Sequence, residues 1–259
     1  MTFDFKGKVA LITGGESGIG ASIATELAHL GCNIIIAYFK KYELAEKVLD
    51  QLNKNGLQNL MVNCDVRDET SVINLFRQAR NIFGKIDFLI NSAGIRSYDK
   101  PLIELSFAKF KNTVETNLFG VFLCSKYFIN QEEHMMDGRI INITSIHQDV
   151  VSAGKTDYCA SKFGVKGFSK ALSLELAEKG ITVNCIAPGM ILTPMNEKAM
   201  NNSDYRIEQE KRIPLQYAGL PKDVANMAVF LCSPQAKYIT GSTQIIDGGL
   251  SLNRSKGAK

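Results

Sequence analysis

The chain has 259 residues, of which 45% are hydrophobic and 22% charged, and its net charge is only +4. Such a chain buries a sizeable core without disulfides or a structural metal. Lys and Arg are spread rather than massed, which excludes a nucleic-acid footprint, and no apolar run approaches the roughly 20 residues of a membrane helix.

Strand-like and helix-like runs alternate almost from end to end. Val9–Ile12 reads as a short buried strand, followed by a glycine turn and a helix carrying Ile19, Ile23, Leu27 and Leu30 at helical spacing. Gly31 stops that helix. A strand at Ile34–Ala37, a helix at Glu43–Leu52 and a strand at Leu60–Val62 come next. A helix over Ser71–Phe83, ended by Gly84, then leads to a strand at Asp87–Ile90. Beyond it the pattern predicts one helix over Phe107–Asn130, a strand at Arg139–Ile143, a helix over Tyr158–Lys179 and a strand at Ile181–Ile186. A helix near Asp223–Leu231 and a strand at Gln244–Ile246 close the series. Continuous apolar strands in βα alternation imply a doubly wound parallel α/β sheet with helices on both faces. With no linker, repeat or low-complexity tract, a single domain over residues 1–253 is expected, with a polar tail at 254–259.

The six cysteines form no CxxC pair and mostly sit in apolar runs, so free buried thiols in a reducing compartment are expected. The only histidines are His29, His134 and His147, too few and scattered for a metal site, so none is expected. Residues 1–8 hold no signal-peptide apolar stretch and run straight into the first strand, so the expected location is the cytoplasm.

Thr13-Gly14-Gly15-Glu16-Ser17-Gly18-Ile19-Gly20 lies between the first strand and the first helix, in a TGxxxGxG spacing. Glycines there let the backbone turn sharply and let a pyrophosphate approach bare N–H groups at a positive helix end. Tyr158 and Lys162 are four apart in a helical segment and therefore share a face. A phenol is a poor base at neutral pH, and a nearby ammonium favours its ionised form. A tyrosine so placed can pass a proton to a carbonyl oxygen or take one from an alcohol. Ser145 closes the fifth strand, at the sheet edge where ligands gather, and its hydroxyl is available to the same oxygen.

With these features together, the sequence resembles the classical short-chain dehydrogenase/reductase family over essentially its whole length, from Lys6-Gly7-Lys8-Val9 to Asp247-Gly248-Gly249. That resemblance implies a single Rossmann-type sheet of about seven strands. Asn91-Ser92-Ala93-Gly94 stands where the family has NNAG, with Ser92 a departure. Asn117 matches the family's relay asparagine, Ser145 precedes Tyr158 by thirteen residues, and Tyr158-Cys159-Ala160-Ser161-Lys162 is the YxxxK motif. The resemblance assigns Tyr158 as acid/base and Lys162 to lowering its pKa and holding the nicotinamide ribose. Ser145 would position the substrate oxygen, and Asn117 would support the relay. It also assigns cofactor contacts to Gly14, Glu16, Ser17, Gly18, Ile19, Gly20, Asp65, Val66, Asn91, Ala93 and Gly94. Pro188, Gly189, Ile191 and Thr193, in a PGxxxT segment, belong to the same set.

The end of the second strand carries Tyr38, Phe39, Lys40 and Lys41 in place of the acid that selects NAD. The reading leans to NADP over NAD, with Glu16 in the glycine loop arguing the other way and dual use open. Ser145-Ile146-His147-Gln148 resembles the SxHE stretch of glucose 1-dehydrogenases in the family, and Thr193-Pro194-Met195-Asn196 their TPxN, with Gln148 in place of the usual Glu. His147 and Gln148 are therefore candidate substrate contacts, although a structural histidine is an equal alternative. The rival substrate class is the 3-oxoacyl group of an acyl-carrier protein, for which Arg96, Lys100 and Arg206 would form a basic entrance. The polar segment 191–214 either closes over substrate, as in the family, or forms a surface helix pair. A stripe of small residues (Ala160, Gly164, Gly167, Ala171) permits close packing, and the family favours a homotetramer. A non-catalytic nucleotide-binding regulator on the same fold would not need all four catalytic positions filled.

Overall fold

A computed structural model of the protein describes residues 3–54, 56–131 and 137–253. Seven strands form one sheet: β1 (Val9–Thr13), β2 (Asn33–Tyr38), β3 (Leu60–Asn63), β4 (Phe88–Asn91), β5 (Arg139–Ile143), β6 (Thr182–Pro188) and β7 (Thr243–Ile246). Every pairing is parallel, in the order β3-β2-β1-β4-β5-β6-β7. The expected tail at 254–259 lies outside the described residues.

Alternate residues of each strand feed two cores. Ala10 and Ile12 of β1 face one side and pack with Ile23 and Leu27 of α1 (Gly18–His29) and Val224 and Ala228 of α9 (Pro221–Cys232). Val9 and Leu11 face the other side. There they meet Val72 and Phe76 of α3 (Glu69–Phe83), Cys124 and Phe128 of α5 (Gly120–Ile129), and Leu172 of α6 (Thr156–Glu175). Each fully buried Leu, Ile or Phe contributes about 1.5–3 kcal/mol relative to exposure, which is why the strands need apolar residues on both faces. Helix α2 (Tyr42–Asn53) lies on the α1 side through Ala45 and Leu52. All six cysteines are free and buried, as expected, and Cys32, Cys64, Cys124 and Cys232 belong to these cores.

Three stretches depart from the expected boundaries. The long helix over 107–130 is instead α4 (Phe107–Val114), a π-helical turn over Glu115–Phe119, and α5. The polar segment after β6 contains two short helices, α7 (Glu197–Asn201) and α8 (Ser203–Glu210). Helix α6 begins two residues before Tyr158, and its last turn gives way to a 3-10 turn over Ala177–Lys179.

The winding reverses between β1 and β4. Strands β2 and β3 lie to one side of that pair, β5 to β7 to the other. The carboxyl ends of the strands therefore open a crevice outside Thr13 and Asn91, the position where doubly wound sheets bind ligands.

Candidate active site

The turn after β1 is shaped by what its glycines leave out. Gly14 adopts φ 65°, and a Cβ there would lie 2.9 Å from the Cα of Ala93. At Gly20 a Cβ would come within 2.2 Å of the Gly14 carbonyl oxygen, so no other residue fits. Gly18, at φ 54°, faces Thr193, whose Cβ would be 3.4 Å from an added methyl. The Thr13 hydroxyl accepts hydrogen bonds from the N–H groups of Ser92 and Ala93, each at 3.1 Å, and locks the β1 turn to the β4 turn. Helix α1 starts at Gly18 behind Ser17, whose side chain makes no capping bond. The first-turn N–H groups of α1 thus have no side-chain cap. This cradle, with the positive end of a 12-residue helix, fits a dinucleotide pyrophosphate. Gly14 thus lies against the backbone of Ala93, and Gly18 against Thr193.

At the far end of the crevice the side chains of the β2 and β3 termini meet. Tyr38 is buried in the core with Tyr42 edge-on at 6.1 Å, so its ring does not reach the cleft as expected. Phe39 is half-buried, with the Lys40 ammonium 4.9 Å and the Arg67 guanidinium 5.5 Å from its ring centre. Arg67 grips the Asp65 carboxylate with two nitrogens (Nε to Oδ1 at 2.9 Å, Nη2 to Oδ2 at 2.6 Å) and donates to Asn112. The Arg67 side chain holds the Asp65 carboxyl below its usual range, against the opposing effect of burial. Val66 is buried against Gly120. Burial raises the Glu16 carboxyl above its usual range; a backbone N–H and the Lys41 charge work against it. One Glu16 oxygen, Oε2, is buried without a protein partner. Sequence reasoning missed Arg67, because an arginine two residues beyond a strand-end Asp carries no recognisable motif.

The four catalytic candidates converge on one pocket wall. Asn117 sits in the π turn, fully buried; it accepts from the Ile95 N–H at 2.8 Å and donates to the Ile95 carbonyl at 3.0 Å and to Ser161 at 3.1 Å. Ser145 caps the turn after β5 by accepting from the His147 N–H at 3.2 Å. The Tyr158 phenol is pushed up to about 12 by burial, with the Ser145 hydroxyl bonding to it and opposing the shift. Lys162 is buried, donates from Nζ to the Ile143 carbonyl at 3.0 Å, and lies 5.5 Å from the Tyr158 ring centre. Burial draws its ammonium down to about 8. Burial is the largest influence on both groups and pushes each toward its neutral form.

The candidate substrate contacts separate. His147 is half-buried, meets Tyr158 edge to face at 5.9 Å, and places Nδ1 2.8 Å from the Val150 carbonyl. A carbonyl only accepts, so Nδ1 carries a proton, which leaves Nε2 as the ring's other polar atom. Gln148 is fully buried and donates to Asp149; it lines a cavity of about 460 Å³ with Lys166, Ile245 and Leu252, which neither Ser145, His147 nor Tyr158 borders. Its expected contact with substrate is corrected on that ground, since its side chain is turned into this cavity and away from Tyr158. Asn91 is likewise turned inward, donating to Asn142 at 2.8 Å, and steadies β4 against β5 rather than lining the cleft. Gly94 remains at the pocket, where an added Cβ would come 3.8 Å from Lys162 Nζ. Pro188 ends β6. Gly189 follows because a Cβ there would strike Asp247 at 2.6 Å, and the Ile191 side chain is in the core.

The family model described as enoyl-(acyl-carrier-protein) reductase matches residues 14–251. The chain is 36% identical over 250 residues to 3β-hydroxysteroid dehydrogenase 1 of Eggerthella lenta, covering 96% of this chain and 95% of that protein. It is 36% identical over 245 residues to the 3-oxoacyl-[acyl-carrier-protein] reductase FabG of Staphylococcus epidermidis, covering 95% and 99% of the two chains. A solved actinorhodin polyketide ketoreductase with NADPH superimposes with a TM-score of 0.89 at 33% identity, covering 94% and 97% of the two chains. The chain belongs to the classical short-chain dehydrogenase/reductase family and is an NAD(P)-dependent oxidoreductase that moves a hydride between nicotinamide and a carbonyl or alcohol carbon.

Proposed function

We propose that the substrate is a carbonyl compound, or the matching secondary alcohol, that bears a further hydroxyl beside the reacting carbon, as in a sugar or polyol of the glucose 1-dehydrogenase type. The observation that carries this reading is His147. Its ring stands edge to face on Tyr158 with Nδ1 tied to the Val150 carbonyl, so Nε2 is left for a neighbouring hydroxyl while Tyr158 and Ser145 attend the reacting oxygen.

The bound nicotinamide supplies or accepts the hydride. Tyr158 donates its proton to the carbonyl oxygen in reduction and takes the alcohol proton in oxidation. A phenol pushed up to about 12 is protonated at neutral pH and holds that proton tightly, so the bond from Ser145, which opposes the shift, aids its release. Ser145 holds the same oxygen and eases ionisation of the phenol. Lys162 offers a buried ammonium to the ribose side, and Asn117 keeps Ile95 and Ser161 in place beside it. NADP is the preferred cofactor, because Lys40 and Lys41 follow the end of β2, where a 2′-phosphate needs cations and the acid that selects NAD is missing. The assembly is a homotetramer in the cytoplasm, on the family pattern.

A second reading, reduction of a 3-oxoacyl thioester, is favoured by the likeness to FabG. Against it, the entrance cations are already engaged: Arg96 pairs with Asp99 at 3.4 Å, Lys100 with Glu104 at 3.0 Å and Arg206 with Glu210 at 3.9 Å. The test is an absorbance screen of glucose and other polyols with NAD and NADP, alongside acetoacetyl-CoA with both reduced cofactors. Turnover of polyols, weakened by His147→Ala through KM, is the expected result. Turnover of acetoacetyl-CoA alone, unaffected by that variant, would replace the first reading with the second.

A further inference from the structure

One residue before the catalytic tyrosine lies a carboxylate that none of these steps uses. Asp157 is fully buried in the first turn of α6. Its two oxygens accept from hydroxyls on two other elements: Ser97, in the loop after β4, at 2.7 Å, and Thr113, on α4, at 2.9 Å. Among the described residues no lysine or arginine pairs with it, so the helix N-terminus and the two hydroxyls carry the burden of holding it.

Ser97 is itself the centre of a stitched junction. Its hydroxyl lies 3.2 Å from the Gly154 carbonyl and accepts from the Asp99 N–H at 3.1 Å. Asp99, in the left-handed region at φ 52°, pairs with Lys155 and with Arg96. The backbone of Gly154 packs on Asp99 and Lys100, 3.6 Å from an added Cβ. The other end of the same loop is the Ile95 peptide that Asn117 holds through both its N–H and its carbonyl. The segment 95–100 is therefore pinned at one end to the relay asparagine and at the other to the residue next to Tyr158.

We propose that Asp157 and Ser97 are positioning residues for the reaction: they bind the loop after β4 to the start of the catalytic helix, so that this wall of the pocket and Tyr158 keep a fixed spacing. This rests on the reading of Tyr158 as the acid/base.

The test uses the full chain and three variants, Asp157→Ala, Asp157→Asn and Ser97→Ala. Steady-state kinetics are run with D-glucose and NADP and with acetoacetyl-CoA and NADPH; NADPH affinity is read by fluorescence, and amide exchange by mass spectrometry. Removing the acceptor should lower kcat/KM for the probe that is turned over by about tenfold, through the hydroxyls left unpaired. NADPH affinity should hold within about twofold, because the pyrophosphate cradle lies on other elements. Ser97→Ala should act in the same direction. Asp157→Asn should restore most of the activity, since the carboxamide keeps one acceptor and the Thr113 hydroxyl turns to accept from the other end. Exchange should quicken in 95–100 in the two truncated variants and not in β1 or α1. Unchanged kinetics, or equal losses of NADPH affinity and turnover with faster exchange everywhere, would overturn the proposal in favour of a general structural role. If the unmodified protein binds NADPH but turns over neither probe, the substrate reading fails, and unaltered exchange in 95–100 of the variants would still overturn the positioning role.

Discussion

Lys162 sets activity against stability, and the conflict is measurable. The ammonium is drawn by burial from the ordinary 10.5 to about 8, which at 1.36 kcal/mol per pH unit is a cost of about 3 kcal/mol when the charged form is buried at pH 7. Lys162→Met keeps the length of the stem and removes the charge. It also gives up the bond from Nζ to the Ile143 carbonyl, worth about 1 kcal/mol, so the variant should be more stable by about 2 kcal/mol. For a chain of this size that is a rise of about 4–8 °C in melting temperature, with turnover abolished. The pH dependence identifies the cause. Between about 8 and 10.5 the unfolded chain binds a proton at this lysine that the folded chain does not, so the unmodified protein gains stability as pH rises through that window and loses it as pH falls. The advantage of the variant should therefore be greatest at pH 7 and disappear near pH 10. Urea unfolding of both proteins at the two pH values, without added cofactor, makes the comparison. A variant that is less stable at pH 7, or an advantage that does not change with pH, would refute the desolvation argument.

Tyr158→Phe should abolish turnover while NADPH fluorescence still reports binding; turnover at the unmodified rate would remove Tyr158 from the chemistry. Ser145→Ala should raise the phenol pKa further, because the lost hydroxyl is the influence that lowers it, and should slow turnover by about 10²-fold or more; an unshifted alkaline limb of the pH–rate profile would contradict this. Gly20→Ala should cost several kcal/mol, of the order that backbone overpacking imposes, and abolish cofactor binding; a folded variant of normal melting temperature that binds NADPH would show that the turn is not as tight as the 2.2 Å approach requires. The six buried thiols should resist Ellman's reagent in the folded state and all react in guanidinium, and rapid labelling of the native protein would contradict their burial.

The sheet was legible because parallel strands must be apolar on both faces, and Val9–Ile12, Ile34–Ala37 and Arg139–Ile143 have no other use for that pattern. The glycine turn was legible from its place between the first strand and the first helix, and the Ser145, Tyr158 and Lys162 set from its resemblance to the family pattern. Orientation was not legible. Gln148 and His147 are adjacent, yet only the turn after β5 decides that one faces Tyr158 and the other a separate cavity. Asn91 and Tyr38 stand at strand ends, but the strand's alternation turns their side chains inward. The burial of Tyr158 and Lys162 was not legible either, because proximity in a helix says nothing of desolvation. Asp157 and Ser97 went unnoticed because they are sixty residues apart in sequence and meet only where the loop after β4 reaches the start of α6.

The π turn at Glu115–Phe119 has a consequence for helical phase. One residue more than an α-helix would use is spent there, so α5 is rotated by about 100° against the line α4 would have continued. That rotation lets Cys124 and Phe128 join the core beside the sheet while Asn117 faces the loop after β4. Two incompatible demands on one continuous helix are met by a single extra residue. Deleting it would regularise the hydrogen bonding, but either Asn117 would leave Ile95 or α5 would turn its apolar side to water. The irregular turn is the point at which the packing of the core and the geometry of the pocket are uncoupled.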